Sequence, residues 1–316
     1  MVNLNARTGD AIVWLLLLTA PFWLPLTGGY VELGTEILVY ALAAMALNFL
    51  LGYTGVLSFG HAAYFGLGAY GTAVIMKYVY ESTPVAMAFG VMLGTAAAAI
   101  IGPLIVRLRG VYFAMCTIAF GQVFYFIAFQ WRDFTGGDDG LSAWHREPLH
   151  FGFATLDILN NSKALYFFTL TVFAVAVGIM AFLLRSPFGR TLLAIRENER
   201  RARFLGIPVD RHIWMSWVVS CAFVSLAGVM YALLNDFVDP RALRWDQSGN
   251  FVIMAVLGGM RSFWGPLLGA AIFIVLRDYV SSHTENWMSF VGLIFVVVVM
   301  FFPRGLLGMV RRRLTS

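Results

Sequence analysis

Apolar stretches about as long as a bilayer is thick recur from residue 11 to residue 302, and that recurrence leaves few folds open. They cover residues 11–27, 31–51, 54–78, 84–106, 111–131, 164–184 and 213–234, then three shorter runs at 248–260, 266–280 and 287–302. About 20 apolar residues in a helix cross the ~30 Å hydrocarbon core of a membrane, where every backbone N–H and C=O must be bonded internally. The pattern predicts an all-α membrane protein: a polytopic bundle of about ten transmembrane segments forming one domain over residues 1–316. Composition agrees, with 12% charged residues and 60% hydrophobic, where a soluble domain carries about 25% charge. A nucleic-acid binder needs a basic face on a soluble fold, and none is available. Cys116 and Cys221 both fall inside apolar runs, so no disulfide framework is implied. Arg7 precedes the first run as in a signal peptide, but no small-residue cleavage site follows, and the run is expected to stay as an uncleaved span.

Basic residues sort these runs. With 185–211 placed in the cytosol and the runs alternating outward, Arg7, Arg107, Arg109, Arg261, Arg304 and Arg311–Arg313 fall on the same side. That puts both termini in the cytosol. The opposite side collects acids, including Asp133, Asp138, Asp139, Asp236, Asp239 and Asp246. The stretch 248–280 is open: two short crossings, or one broken re-entrant element and one crossing.

The segment 185–211 is the one polar stretch between apolar runs with the marks of a compact helix. Ser186 suits an N-cap, and Pro187 suits the first helical position, where no N–H is needed. Gly206 suits the left-handed stop, with Pro208 beyond it. Between them about 19 residues would form roughly 28 Å of helix. Arg196, Glu199, Arg200 and Arg203 share one face by spacing; Ala194, Asn198, Ala202 and Leu205 share a small, flat one. A solvated basic loop would explain the charge but not the two matched caps. A capped helix held outside the membrane suggests a docking partner.

The same segment resembles the cytosolic coupling loop of ABC-importer permeases of the branched-chain amino acid type, the LivM-like half. Ser186-Pro187-Phe188-Gly189-Arg190, then 194–199 (AIRENE) and Leu205-Gly206-Ile207 carry that likeness. Three other stretches agree: 57–71 (LSFGHAAYFGLGAYG), 107–122 (RLRGVYFAMCTIAFGQ) and 257–270 (LGGMRSFWGPLLGA). The general EAA-x3-G signature of importer coupling loops fits poorly, since Arg200 stands six before Gly206. The resemblance implies an inner-membrane permease subunit of a bacterial ATP-driven importer. Its partners would be a second, homologous permease, two ATPase subunits and a periplasmic binding protein that delivers substrate, with lipid around the bundle. Pro187, Gly189, Arg190, Ala194, Glu197, Asn198, Glu199 and Ala202 would form the ATPase-coupling surface. ATP and magnesium would belong to the partner ATPases: this chain has no G-x-x-x-x-G-K-[ST] loop and implies no cofactor of its own. The expected substrates are branched-chain amino acids, with urea or short amides as alternatives. A secondary transporter or channel for a small polar solute is the reading from another class, but its ion-coupling candidates, Glu32, Glu36 and Asp278, all lie near span ends.

The third run is crowded with Gly52, Gly55, Gly60, Gly66, Gly68 and Gly71. Glycine in a membrane helix allows close helix packing, or marks a broken helix lining a cavity. The Gly/Pro-interrupted stretch 257–269 is its counterpart in the second half, the arrangement that points to a central site in repeat-built transporters. The candidate substrate pathway is Asn48, Ser58, His61, Tyr64, Phe65 and Gln122. Each also has a structural explanation: a histidine satisfied by neighbours, amides as glue between helices, aromatics as packing. No metal site is expected, because the histidines are scattered, and no residue group supports an enzyme. The polar loop 132–163 is long for a connection, which favours binding or gating on the outer side.

Overall fold

The computed structural model describes residues 4–300 apart from 80–81, 143–148, 152–153, 157–159, 261, 285, 287–288, 291, 294 and 297–299. The predicted last span, 287–302, and the basic tail lie largely or wholly outside the described residues. The helices are α1 (Leu4–Trp23), α2 (Val31–Leu51), α3 (His61–Val74, prolonged by a wide-pitched turn Ile75–Val79), α4 (Thr83–Ile105), α5 (Val111–Gln130), the short α6 (Arg132–Thr135) and α7 (Ser162–Arg185). Then come α8 (Pro187–Glu197), α9 (Glu199–Phe204), α10 (Val209–Asn235), α11 (Trp245–Gly258) and α12 (Gly265–Ser281). Five of them, α2, α4, α5, α7 and α10, are long and apolar enough to cross a membrane.

The apolar residues of α2 surround the whole helix rather than one stripe, which marks a buried helix. Its most apolar stretch is 89% buried, against 28% for α5, so α2 is the axis and α5 lies at the edge. Helices α10, α12, α7 and α11 enclose α2, and α3 and α4 pack on α10. Small residues make the closest of these contacts. Gly228 of α10 lies against the Phe65 carbonyl of α3, and Gly68 of α3 against the Ser225 carbonyl, with no room for a Cβ at either. Close approach of this kind is how membrane helices gain dispersion energy without a hydrophobic drive between them.

Side-chain contacts fix how the passes run. Glu32 at the start of α2 accepts from Ser162 at the start of α7, Tyr30 donates to Asp278 at 2.9 Å, and Arg277 pairs with Glu36 at 2.5 Å. These mark one end of the bundle, together with the antiparallel strand pair β1 (Leu141–Ser142) and β4 (Phe237–Val238), which ties the 132–163 segment to the 236–244 connector. A second hairpin, β2 (Leu149–Phe151) with β3 (Ala154–Leu156), lies in the same segment. That segment is therefore built from α6, a 3-10 turn and strands rather than one irregular loop. At the opposite end Trp264 donates to Asp10 at 2.7 Å, Arg196 to the Gly52 carbonyl, and Asn48 to the Ser262 carbonyl at 3.4 Å. This second end carries 106–110 and 185–211 and is the basic end. Helices α11 and α12 form a hairpin whose turn, 259–264, reaches it.

Three expectations change. The third run does not begin as helix at 54: residues 52–60 are non-helical and α3 starts at His61. The first run, expected to extend to 27, ends as helix at Trp23: Pro21 stays within α1, and Pro25 opens a short 3-10 turn. The segment 187–205 is not one helix. Asn198 is extended (φ −158°, ψ 98°), ending α8 and starting α9.

Candidate functional site: the coupling segment and the cavity beneath it

Pro187 occupies the first helical position of α8 and Ser186 precedes it in extended geometry, but the serine hydroxyl donates back to the Leu183 carbonyl at 2.6 Å instead of capping. Gly189, Leu192 and Ile195 form the buried face of α8, turned to α7 and α10. Arg190, Leu193, Ala194 and Glu197 are exposed. The Asn198 side chain accepts from the Arg201 N–H at 2.8 Å, an N-cap for α9. Gly206, at φ +81°, ends α9: its N–H reaches the Arg203 carbonyl at 3.0 Å and the Ile207 N–H reaches the Ala202 carbonyl at 3.2 Å. This is the left-handed stop with paired bonds that the sequence predicts.

The break at Asn198 turns the expected small face apart. Ala194, Asn198 and Leu205 remain exposed, whereas Ala202 is 2% exposed and packs within this chain. Phe204, at 90% exposure, becomes the most open apolar side chain of the segment.

Sequence reasoning did not find the ionic cluster that holds α9. Arg109, from the turn between α4 and α5, donates from Nε to both oxygens of Glu199 at 2.9 Å and from Nη2 to Asp210 at 2.5 Å. Arg203 pairs with the same two carboxylates, each at 2.9 Å. Hydrogen bonds donated to Asp210 and then Glu199 hold the Arg203 guanidinium above its ordinary pKa. Two arginines thus share two carboxylates contributed by α9 and α10. Only the RLRG turn itself hinted at Arg109; nothing in its spacing gives its partners.

Beneath α8 lies a cavity of about 630 Å³. Its walls are residues 54–57 and 59 of the break, 108–111, 113 and 114 around the start of α5, 195–199 of the coupling segment, and Ile213. Gly55, Leu57, Gly110, Val111 and Glu197 at its lip are exposed, so it opens at the basic end.

None of the six candidate pathway residues lines that cavity. His61 has no exposed surface: Ser220 donates to the Ala46 carbonyl at 2.5 Å and stands 2.8 Å from His61 Nε2, while Ser58 stands 2.9 Å from Nδ1. Using each hydroxyl hydrogen once, Ser220 accepts from Nε2–H and Ser58 donates to Nδ1, the neutral tautomer. Ser58 also accepts from the Gly60 N–H at 3.1 Å, and Ser248 of α11 accepts from the Ala62 N–H at 2.8 Å. The two hydroxyls satisfy backbone at the start of α3. Tyr64 meets Trp217 edge-on, as His61 does, and Phe65 packs among Tyr40, Tyr231 and Phe251. Asn48 is buried at the basic end of α2, its Oδ1 without a hydrogen-bond partner among the described residues. Gln122 is half-buried on α5. The structure therefore joins Ser58, His61 and Tyr64 in one packed core, whereas Asn48 bonds the α11–α12 turn. Among the described residues, no cluster of metal-ligating side chains occurs.

Comparison with known proteins now adds what geometry cannot. Residues 29–299 match the family model for the permease component of branched-chain amino acid transport systems. The chain is 27% identical to the high-affinity branched-chain amino acid transport permease LivM of Escherichia coli K12, over 96% of this chain and 76% of that one. It is 24% identical to a probable LivH permease of Methanocaldococcus jannaschii, over 78% of each chain. Against LivH of E. coli K12 the identity is 30% over 44% of this chain and 46% of that one. No solved structure matches. With the family model covering most of its length, this chain belongs to the family of permease components of branched-chain amino acid transport systems.

Proposed function

We propose that the chain is one of two permease subunits in an ATP-driven importer of branched-chain amino acids, set in a bacterial inner membrane. The basic end faces the cytosol, by the excess of arginine there. Nine helical passes, α1–α5, α7 and α10–α12, together with the predicted run 287–302 would make ten crossings with both termini inside. Exposed apolar faces of α4, α5 and α7 meet lipid or the second permease, and the outer strand pairs receive the periplasmic binding protein. ATP and magnesium sit on two separate ATPase subunits, which press on α8 and α9; this chain needs no cofactor.

The observation that carries the reading is the coupling segment itself. Two short helices lie outside the spans, and α9 is fixed to the α4–α5 turn through Arg109–Glu199 and to α10 through Arg203–Asp210. A push on α9 therefore reaches three spans at once. Arg190, Ala194 and Asn198 form the open surface for the ATPase, Glu197 lines the cavity beneath α8, and Gly189 and Ala202 hold the helices to the bundle. Proteoliposomes holding the full complex test this: ATP inside and binding protein outside should drive L-leucine accumulation. Accumulation that follows an ion gradient and ignores ATP would remove the importer reading. Cysteines at Arg200 and Asp139 test sidedness, since an impermeant thiol reagent applied to intact cells should label only position 139.

A further inference from the structure

The cavity beneath α8 combines three features that one class of ligand needs together. Its floor is apolar: Phe59, Phe113, Ala114, Ile195 and Ile213. Two of its charges are uncommitted. Arg109 is occupied by Glu199 and Asp210. Arg196, by contrast, spends one donor on the Gly52 carbonyl and pairs with no carboxylate among the described residues. Glu197, next to it, is exposed at the lip and has no described ion-pair partner. A guanidinium and a carboxylate beside an apolar floor suit a zwitterionic α-amino acid with an aliphatic side chain. At about 630 Å³ the cavity falls within the ~300–1,000 Å³ range of small-molecule sites.

We infer that this cavity is a release site for the transported amino acid on the cytosolic side, with Arg196 receiving the α-carboxylate, Glu197 the α-ammonium, and the apolar floor the side chain. The inference rests on the importer reading above. It adds a consequence: two of the site's charges belong to the coupling segment. When α8 moves, Arg196 leaves or regains the Gly52 carbonyl, and the ligand's carboxylate competes for the same donors. Occupancy and coupling-segment position then govern each other, as linked equilibria must.

The test uses the full complex in inside-out vesicles, carrying Leu57→Cys, which lines the cavity at its lip, in a Cys116→Ser background; Cys221 is fully buried. The rate of modification by an impermeant maleimide is measured with and without saturating L-leucine. L-leucine should slow modification several-fold. L-leucinamide, which lacks the carboxylate, and 4-methylpentanoate, which lacks the ammonium, should protect far less. Arg196→Gln should abolish protection, measured against that variant's own unprotected rate, and Arg196→Lys should retain part of it. Equal rates with and without L-leucine, in a complex that still imports it, would overturn the site and leave the importer standing. Equal protection by all three ligands would overturn the charge assignment. A complex that imports no branched-chain amino acid would remove both readings, and the uptake assay reports that separately.

Discussion

The polar network around His61 and the ionic network around Glu199 each tie other segments to α10, by opposite means. The first is neutral and without solvent exposure, each hydroxyl serving both as donor and acceptor. The second is fully charged, its side chains between 32% and 47% exposed. A buried neutral network costs heavily to leave half-made, about 1–3 kcal/mol for each stranded group. Exposed ion pairs contribute roughly 0–1 kcal/mol each and exchange readily with water. The contrast teaches where this molecule is rigid and where it can move: the α2–α3–α10 core is a fixed body, and the basic end is held by contacts cheap enough to remake in each transport cycle.

The contrast breaks most severely in the core. Gly228→Leu drives a side chain into the Phe65 backbone, which no rotamer change relieves. Overpacking costs about 1–3 kcal/mol where side chains give way, and a backbone wall sets the expectation at or above that range. The yield of folded complex on a sizing column should collapse.

His61→Leu comes next. It strands Ser58 and Ser220, so the complex should lose thermal stability, and uptake should fall in proportion to folded protein. Uptake that vanishes while stability and yield remain normal would move His61 from scaffold to pathway.

The basic end should answer differently. Arg109→Ala is expected to change stability by less than about 1 kcal/mol, yet to cut substrate-stimulated ATP hydrolysis several-fold, because α9 loses its tie to the α4–α5 turn. Arg203→Ala should do less, since Arg109 still spans both carboxylates. Equal losses in the two variants would mean that cluster charge, rather than the bridge to the turn, matters.

Much of this was legible in the sequence where the governing physics is local. Apolar run lengths mark the five long helices α2, α4, α5, α7 and α10, arginine distribution marks the basic end, and Gly206 marks the stop of the coupling segment. The glycine-crowded stretch 52–71 is open to two readings in sequence, and its two parts divide them: 52–60 is non-helical, while Gly68 in α3 serves close packing. The break at Asn198 was hidden because its neighbours are good helix formers and Arg201, not Glu or Gln, stands three residues on, so no capping box announces it. Partnerships across the fold were out of reach altogether. His61 and Ser220 are 159 residues apart, and Arg109 and Asp210 are 101 apart. No periodicity encodes such meetings. Ala202 was misjudged for a related reason: one residue out of helical geometry at Asn198 rotated it from the solvent side to the bundle.

Gly52 sits where these contacts converge. Its carbonyl takes the Arg196 guanidinium, and a Cβ there would collide with the Asn48 amide and the Met260 carbonyl. Its own dihedrals (φ −76°, ψ −32°) lie in the ordinary right-handed region, so the demand is for space alone. The three elements meeting at this residue come from distant parts of the chain: the break after α2, the α11–α12 turn and α8. Evolution can therefore alter none of the three at this contact independently. A tolerated replacement of Gly52 would have to arrive with compensating changes in both the 259–264 turn and α8, which makes the position a knot in the mutational paths open to the protein.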